Sequence, residues 1–394
     1  MKALIIILIL SIFFNNLSAK EKKFQLTKVT YDGITKVQKL LDENKNNEAK
    51  LVLLELKDSG DIRKKLDKAY VRFYLGYFFT TIDDSKQAIK YFKEAVSYKS
   101  LAPTQVLNSY LNLVQLSMEL ENYQDSIIYV DKLIAISKPV KAEYIVIKAN
   151  IEMILKDYKK VIRDINKAIE IETKPKVPWL KMQYYSFYML KEYKNTIDVL
   201  KQLIELEPKN KGYWLQLSSL YSVVEDSDKS LSSLDIARIA DLDLNEKEVL
   251  RLVSWLQYSN VPYKAAVIME KNVNLKVINV NEKNLNGLGD LYYEAKDYKK
   301  AIYWYKKSAK IAKSSKIYFK IAKIYANERN YEEVISNLKL SLETKNTKKD
   351  GSKYLLLGKA YYETKNLIEA KKSFYKAKEY NKSKKMAAAW LDYI

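Results

Sequence analysis

The sequence contains no cysteine and no histidine among its 394 residues. Their absence excludes thiol nucleophiles, disulfides, zinc sites built on these residues and imidazole acid–base catalysis. Glycine and proline are scarce, with 8 and 6 occurrences, so few positions interrupt regular backbone structure. The long stretches rich in lysine, leucine, isoleucine and glutamate therefore favour helix.

Arginine is also rare, because only six of the 69 basic residues are arginine. The formal net charge of +21 could indicate a nucleic acid or an anionic membrane as partner. Specific readers of phosphates and bases depend on the planar guanidinium group, and the lysines here are interspersed with glutamate and asparagine. We interpret the charge as a solvated lysine surface, with a functional basic face as the alternative.

Catalytic motifs are missing from the sequence. It has no phosphate-binding glycine loop, no nucleophile elbow and no spaced set of metal-binding carboxylates. The adjacent pair Asp83 and Asp84 is interpreted as the cap of a following helix, since neighbouring side chains rarely converge on one substrate atom. The sequence therefore predicts a non-enzymatic protein with no catalytic residue, no cofactor and no metal.

The chain begins with a segment typical of a secretory signal. Lys2 supplies a positive charge, residues 3–14 are apolar, and Leu17-Ser18-Ala19 supply small residues for cleavage after Ala19. An uncleaved membrane anchor is the alternative, but a spanning helix needs about 20 apolar residues. We expect residues 1–19 to be removed and the mature chain to be exported without a membrane span.

Small or β-branched residues recur at intervals of 33–39 positions and form what we call the small column. An apolar or aromatic residue follows each of them four positions later, on the same helix face. The small side chain lets the second helix of a hairpin approach the first, and the large one fills the groove beside it. The small column is Ala49, Ala88, Ser126, Val161, Thr196, Ser230, Ala265, Ala301, Val334 and Ala370.

A matching pattern marks the first helix of each hairpin. Small residues such as Gly76, Gly289 and Gly358 stand twelve positions before the small column, where the two backbones must come close. Three positions later comes an aromatic column, with Phe79, Phe187, Tyr221, Tyr292, Tyr325 and Tyr361. Glu152 also falls in this column, which suggests that its unit is displaced by one residue.

These columns resemble the tetratricopeptide repeat, most clearly over residues 68–96. The resemblance implies an all-α, right-handed α-solenoid of about ten helical hairpins over residues 20–381. Softer points are expected near residues 241–248 and 274–282. Residues 382–394 are predicted to form a C-terminal capping helix, in which Trp390 packs on the last hairpin.

The family resemblance also implies a binding surface, since first helices line the concave side of such arrays and extended peptides or helices lie there. Tyrosine and asparagine are well suited to such contacts, although some of these tyrosines could equally serve packing between repeats. The predicted partner-binding residues are Asn108, Gln115, Asn150, Tyr185, Tyr188, Ser219, Asn286, Asp290, Tyr293, Lys323, Lys359 and Tyr362.

Three segments resemble a narrower family. They are residues 213–221, which begin Tyr-Trp-Leu-Gln-Leu-Ser, residues 255–271 with Val-Pro-Tyr-Lys-Ala-Ala, and the ending 387–394. They are similar to periplasmic tetratricopeptide proteins that accompany the TonB, ExbB and ExbD energy-transduction systems of Gram-negative bacteria. This resemblance implies an accessory of TonB-driven uptake that contacts components of that complex.

Two other functions remain open from the sequence. One is a scaffold for a different envelope assembly, such as outer-membrane or cell-wall machinery. The other is direct binding of an anionic envelope polymer or lipid through the lysines, with an affinity that falls steeply as salt rises. An enzyme or a nucleic-acid binder is disfavoured by the missing catalytic residues and by the export signal.

Overall fold

The computed structural model describes residues 25–344 and 350–394, so the predicted signal segment 1–19 lies outside the described residues. The described part contains 21 α-helices and no β-strand, which confirms the all-α fold class. Consecutive helices pair as hairpins, and the chain divides into two compact units after Leu206. From α1 to α20, each odd number is the first helix of a hairpin and each even number the second.

The first unit holds five hairpins. Its core is formed by buried side chains of both helices of each hairpin and of the adjacent hairpins. The helices are α1 Lys28–Asp42, α2 Asn46–Asp58, α3 Lys65–Thr81, α4 Ser85–Ser97, α5 Pro103–Glu119, α6 Tyr123–Ile136, α7 Ala142–Ile154, α8 Tyr158–Glu172, α9 Val177–Met189 and α10 Tyr193–Leu206.

The second unit holds five further hairpins and one final helix, so the predicted number of about ten hairpins with a terminal helix is confirmed. The helices are α11 Lys211–Val223, α12 Ser227–Ile239, α13 Glu246–Tyr258, α14 Pro262–Asn274, α15 Glu282–Glu294, α16 Tyr298–Ile311, α17 Ser315–Asn327, α18 Tyr331–Glu343, α19 Gly351–Glu363, α20 Leu367–Lys378 and α21 Lys384–Tyr393.

The small column lies where each second helix presses against its first helix. All ten of its residues are fully buried, and the large residues four positions later are between 0 and 4% exposed. Ala301 and Tyr305 of α16 illustrate the pair, since both face α15 and the Tyr305 ring covers Gly289. The repeat columns of the sequence are therefore the core of the fold.

Each hairpin turn contains one non-glycine residue in the left-handed backbone region, which the sequence pattern does not reveal. Asp83 has a φ of 57°, and the next residue, Asp84, accepts a hydrogen bond from the Gln87 amide at 3.1 Å. Asp84 therefore caps α4, as the sequence predicts. Side chains at the same position cap six other second helices, namely Asn122, Asp157, Asp226, Asp297, Asn330 and Asn366.

A substitution pair within α15 tests the close approach of two helices. A Cβ atom on Gly289 would lie 2.5 Å from the ring of Tyr305, whereas one on Gly287 would meet nothing nearer than 4.0 Å. We expect Gly289→Ala to lower the free energy of unfolding by about 1–3 kcal/mol through overpacking. Gly287→Ala, the matched control, should raise it by up to about 1 kcal/mol through helix propensity.

Urea unfolding of the full chain followed by circular dichroism measures both changes. Equal effects of the two alanines on the unfolding midpoint would show that α15 and α16 are not packed as closely as described.

The final helix covers the last hairpin, as the sequence predicts for Trp390. Its indole stacks on the ring of Phe374 in α20, with centroids 5.4 Å apart and planes within 8°. Leu391 and Ile394 also pack against the cluster of α17 to α20. This arrangement closes the apolar surface that the last hairpin would otherwise expose.

The two segments predicted to be softer points are held by specific contacts. In the first, Asn245 and Glu248 form a reciprocal capping box at the start of α13. In the second, Ile278 is fully buried, and the Asn279 backbone amide donates to the Glu246 carboxylate at 3.0 Å. A hinge at either segment stays a prediction. None of the helices in the described ranges is long and apolar enough to cross a membrane.

Candidate protein-binding surface

All twelve predicted partner-binding residues lie on first helices, and none of them is buried. The exposed members are Gln115, Asn150, Tyr185, Tyr188, Ser219, Tyr293 and Lys323, and the half-buried members are Asn108, Asn286, Asp290, Lys359 and Tyr362. The columns that build the core thus leave these side chains at the surface. Whether a partner contacts them stays a prediction.

In the first unit, α7, α8 and α9 form what we call the aromatic surface. A shallow cavity of 440 Å³ is lined there by Met153, Ile154, Tyr158, Met182 and Tyr185, together with two lysines. The lysines are Lys156 and Lys181. Flexible methionine and stiff tyrosine side chains suit contact with other proteins.

Several tyrosines extend the aromatic surface along α9. Tyr185 and Tyr188 are each 47% exposed and lie about one turn apart on α9. Tyr158 meets Tyr185 edge-on at 5.9 Å, and Tyr184 stacks on Tyr188 at 6.4 Å. Burial and the neighbouring Tyr185 raise the pKa of Tyr158 above its ordinary value.

Sequence reasoning found Tyr185 and Tyr188 but missed Met153 and Ile154. Both stand in the last turn of α7, where an apolar residue is ordinarily attributed to the core. Ile154 is nevertheless 47% exposed and lines the cavity beside Met182 and Tyr185 of α9. Two adjacent apolar residues at the end of a first helix are the signal that could have identified the cavity.

The remaining predicted residues of the first unit have fewer features of a binding site. The Asn150 side chain donates to the Val146 carbonyl at 3.0 Å, one turn earlier in α7. The Asn108 carbonyl accepts from the Asn112 side chain at 2.8 Å. A second cavity, of 510 Å³, has none of the predicted residues in its lining, which is formed by Leu66, Lys99, Ser100, Leu101, Pro103, Val106, Leu107 and Ile136.

A buried charged cluster lies between α7 and α8. Glu152 is only 2% exposed, and it follows the fully buried Ala149 by three residues, as in the other repeats. The expectation that this unit is displaced by one residue is therefore wrong. The Glu152 carboxylate lies 3.5 Å from the Arg163 guanidinium, which also donates to Asp164 at 2.6 Å. Burial and the nearby Asp164 carboxylate raise the pKa of Glu152 to about 7, against the opposing charges of Lys148 and Arg163.

In the second unit, two predicted residues are occupied by contacts within the protein. Asp290 of α15 accepts from Lys320 at 2.6 Å and from the Tyr305 hydroxyl, while Asn286 accepts from Lys320 at 3.1 Å. Burial, followed by the Asp290 carboxylate, raises the pKa of Tyr305. These contacts join α15, α16 and α17, so Asn286 and Asp290 have a structural role.

Ser219 is held in a similar way. Its hydroxyl donates to the Leu215 carbonyl at 2.9 Å and accepts from Arg251 of α13 at 3.2 Å. The same guanidinium donates to Ser218 at 2.9 Å, so it connects α11 with α13. Tyr293 is more available, since it is 42% exposed, and its ring centre lies 5.7 Å from that of Tyr298 with the planes tilted by 54°.

Lys323, Lys359 and Tyr362 lie on α17 and α19. The Lys323 ammonium stands 5.1 Å from the Phe319 ring centre, and that of Lys359 stands 5.8 Å from the Trp390 ring. Tyr362 meets Trp390 at 5.3 Å, and the neighbouring Tyr393 hydroxyl raises the pKa of Tyr362. These three predicted residues therefore lie beside exposed or half-exposed aromatic rings.

Residues 354–384 match the family model of the tetratricopeptide repeat. This segment contains most of α19 and all of α20, including Ala370 of the small column and Phe374 four positions later. The match supports the repeat family predicted from the sequence. Proteins of this class are generally protein-interaction scaffolds, typically without enzymatic activity.

Solved structures with similar repeats include a tetratricopeptide repeat protein from Parabacteroides merdae, 14% identical over 70% of this chain and all of that one, with a TM-score of 0.38. YrrB, described as having an unusual peptide-binding site, is 17% identical over 48% and 96%, with a TM-score of 0.37. MamA from Desulfovibrio magneticus is 14% identical over 45% and 95%, with a TM-score of 0.34. No curated protein matches the chain.

Proposed function

We propose that this chain is a protein-binding scaffold and that partners contact its first-helix surface. One observation carries the proposal: the aromatic surface of α7 to α9 exposes Ile154, Tyr185 and Tyr188 by 47% each. Large apolar and aromatic side chains that are exposed together are typical of protein interaction sites. The buried columns already supply the hairpin cores, so these rings are available to a partner.

We further propose that the protein is exported and acts in the periplasm as an accessory of a TonB-type energy-transduction complex. The support is the signal-like segment 1–19 and the three segments that resemble the periplasmic family. The partners would then be components of the TonB, ExbB and ExbD system. A scaffold for another envelope assembly is the alternative outcome of the experiments below.

Crosslinking in intact cells tests the contact surface directly. A photoreactive amino acid at Tyr185 of the full chain should give crosslinks to a partner protein. The matched control is Ile128 on the second helix α6, which is 50% exposed and should give few or none. Equal crosslinking from both positions would contradict a first-helix binding surface.

Removing the exposed rings should weaken the same interaction. Truncating an aromatic residue at the centre of an interface typically costs about 2 kcal/mol or more, and tenfold in affinity corresponds to about 1.4 kcal/mol. We expect the double variant Tyr185→Ala with Tyr188→Ala to bind the crosslinked partner at least about tenfold more weakly. Unchanged affinity in the folded double variant would overturn the proposed surface.

Identification of the crosslinked protein tests the finer proposal. Components of the TonB, ExbB and ExbD system among the crosslinked proteins, and reduced iron-carrier uptake in a deletion strain, are the expected results. Outer-membrane or cell-wall assembly factors would support the other envelope scaffold. Cell fractionation that leaves the full-length, uncleaved chain in the cytoplasm would overturn the proposed location.

A further inference from the structure

The positive charge is concentrated in the last part of the second unit. Residues 298–394 contain 24 basic and 9 acidic residues, whereas residues 207–297 contain 11 basic and 14 acidic residues. The functional basic face that the sequence leaves open as the alternative is therefore best sought in residues 298–394, whose net charge is +15 against −3 for residues 207–297. Such a concentration attracts an anionic partner.

One face of α17 carries a stripe of lysines. Lys316, Lys320 and Lys323 are spaced by four and three residues, so they lie on one side of the helix, and the helix contains no acidic residue. Lys320 is neutralised by Asp290 at 2.6 Å. Within the described residues, the exposed Lys316 and Lys323 have no carboxylate partner within 4 Å.

Helix α19 contacts α17 at its first turn and carries a further lysine of the basic surface. The buried Lys353 ammonium donates to the Ser315 hydroxyl at 2.6 Å and stands 5.8 Å from the Phe319 ring, which fixes the start of α19 against α17. Lys359 follows further along α19 and is half-exposed. Lys323 and Lys359 thus stand on neighbouring first helices of the same unit.

A group of three aromatic rings begins at Trp390, whose ring centre lies 5.8 Å from the Lys359 ammonium. Tyr362, Trp390 and Tyr393 meet one another with ring centres 5.3–5.9 Å apart, and Tyr393 is 71% exposed. Phe374 supports the Trp390 ring from behind. These rings offer a rigid apolar platform directly beside a lysine, which suits a ligand with both negative charge and an apolar side chain.

We propose that the first-helix side of α17 and α19, together with α21, is a docking surface for an acidic protein segment that carries an aromatic or aliphatic side chain. Lys316, Lys323 and Lys359 would face its carboxylates, and the ring platform would receive its apolar residue. This inference rests on the proposed scaffold function and names the chemistry of one partner segment.

Other anionic partners match the surface less well. Among the 24 basic residues only Arg329 is an arginine, so the bidentate contacts typical of nucleic-acid readers are scarce. Binding to an anionic membrane would favour lysines along one continuous face formed by the second helices. The second helices α16 and α20 carry nine further lysines, but α18 bears Glu332, Glu333 and Glu343, and an acidic segment along the first helices avoids these charges.

Peptide binding to the full chain tests the proposal. The probe is a fluorescent peptide of about twelve residues, made of aspartate, glutamate and serine with one central phenylalanine, followed by anisotropy. The double variant Lys323→Glu with Lys359→Glu should bind it at least about tenfold more weakly at low salt, since reversing charges that face a partner gives unfavourable like-charge pairs.

The matched control reverses two exposed lysines on second helices of the same region, Lys310→Glu in α16 and Lys371→Glu in α20. It changes the net charge equally and should weaken binding less than about threefold. Equal losses in the two double variants, or tighter binding to anionic vesicles or single-stranded DNA than to the peptide at the same salt, would overturn the proposal. Thermal unfolding verifies that both variants fold.

A second peptide, in which serine replaces phenylalanine, tests the ring platform. We expect weaker binding of this peptide to the unaltered chain and no difference between the peptides for Tyr393→Ala. Equal binding of both peptides to the unaltered chain would show that the ring platform does not receive the phenylalanine, and would overturn this part of the proposal. Crosslinking from Tyr185 without any peptide binding would overturn this inference alone and leave the scaffold function standing.

Discussion

Replacing Phe374 by alanine is expected to lower the free energy of unfolding of the second unit by about 3–5 kcal/mol, the usual cost of truncating a buried phenylalanine. Its side chain is fully buried and stacks on Trp390 at 5.4 Å. The ring also fills the space over Gly358, where an added Cβ would come within 2.7 Å of it. A cavity at this point loosens both the last hairpin and the final helix.

The adjacent Tyr375 supplies the matched control. It is 60% exposed on the same helix, so Tyr375→Ala should change the free energy of unfolding by less than about 1 kcal/mol. Urea unfolding of the full-length variants, followed by circular dichroism, measures both effects. Similar unfolding midpoints for the two variants would contradict the burial of Phe374 beneath the final helix.

The hairpin cores could be predicted from sequence because the columns follow from helix geometry alone. A small residue and a large one four positions later, such as Ala301 and Tyr305, must share a helix face in any helix. The turn conformation could not be predicted in the same way. Lys296 adopts a φ of 61°, although lysine has no local preference for the left-handed region, so the hairpin imposes this conformation.

The candidate surface was only partly predictable, because exposure on a helix depends on what the neighbouring hairpin covers. Asp290 and Lys323 occupy equivalent positions in their repeats, yet Asp290 is bound by Lys320 from the next hairpin while Lys323 is exposed. The repeat register specifies on which face of the first helix such a side chain lies. The sequence of the next repeat decides whether it is paired within the protein or remains available to a partner.

The two units offer surfaces of different chemistry. In the first unit, exposed tyrosine, methionine and isoleucine side chains dominate the region around Tyr185. In the second unit, lysines dominate beside the rings of Tyr362 and Tyr393. A scaffold with two such surfaces can bind different partners, or different segments of one partner, and the crosslinking and peptide experiments examine the two surfaces separately.

Glu152→Gln is expected to stabilise the first unit in a strongly pH-dependent way. Glu152 is 2% exposed, and among the described residues no group donates a hydrogen bond to either of its carboxylate oxygens. Its pKa rises from an ordinary 4.5 to about 7 on folding, mainly because burial penalises the charged form. Ionisation of the Glu152 carboxyl group therefore destabilises the folded chain, whereas the protonated form does not.

The sign of the effect follows from proton linkage. Because the folded chain holds this proton more tightly than the unfolded chain, stability is highest below about pH 4.5 and falls as pH rises to about 7. A shift of this size corresponds to a loss of about 3 kcal/mol at higher pH. Glutamine keeps the shape of the protonated acid, so Glu152→Gln should behave like the unaltered chain near pH 4.5 and be more stable by about 2–3 kcal/mol at pH 8.

Thermal unfolding of the full chain at both pH values provides the measurement. The exposed Glu170 of the neighbouring helix α8 is the control, and Glu170→Gln should leave the unfolding temperature unchanged at either pH. If Glu152→Gln gave the same difference from the unaltered chain at pH 4.5 and pH 8, the carboxyl group would not be buried beside Asp164 as described. A gain that appears only at the higher pH would show that the register of α7 places an ionisable group where other repeats carry an aromatic ring.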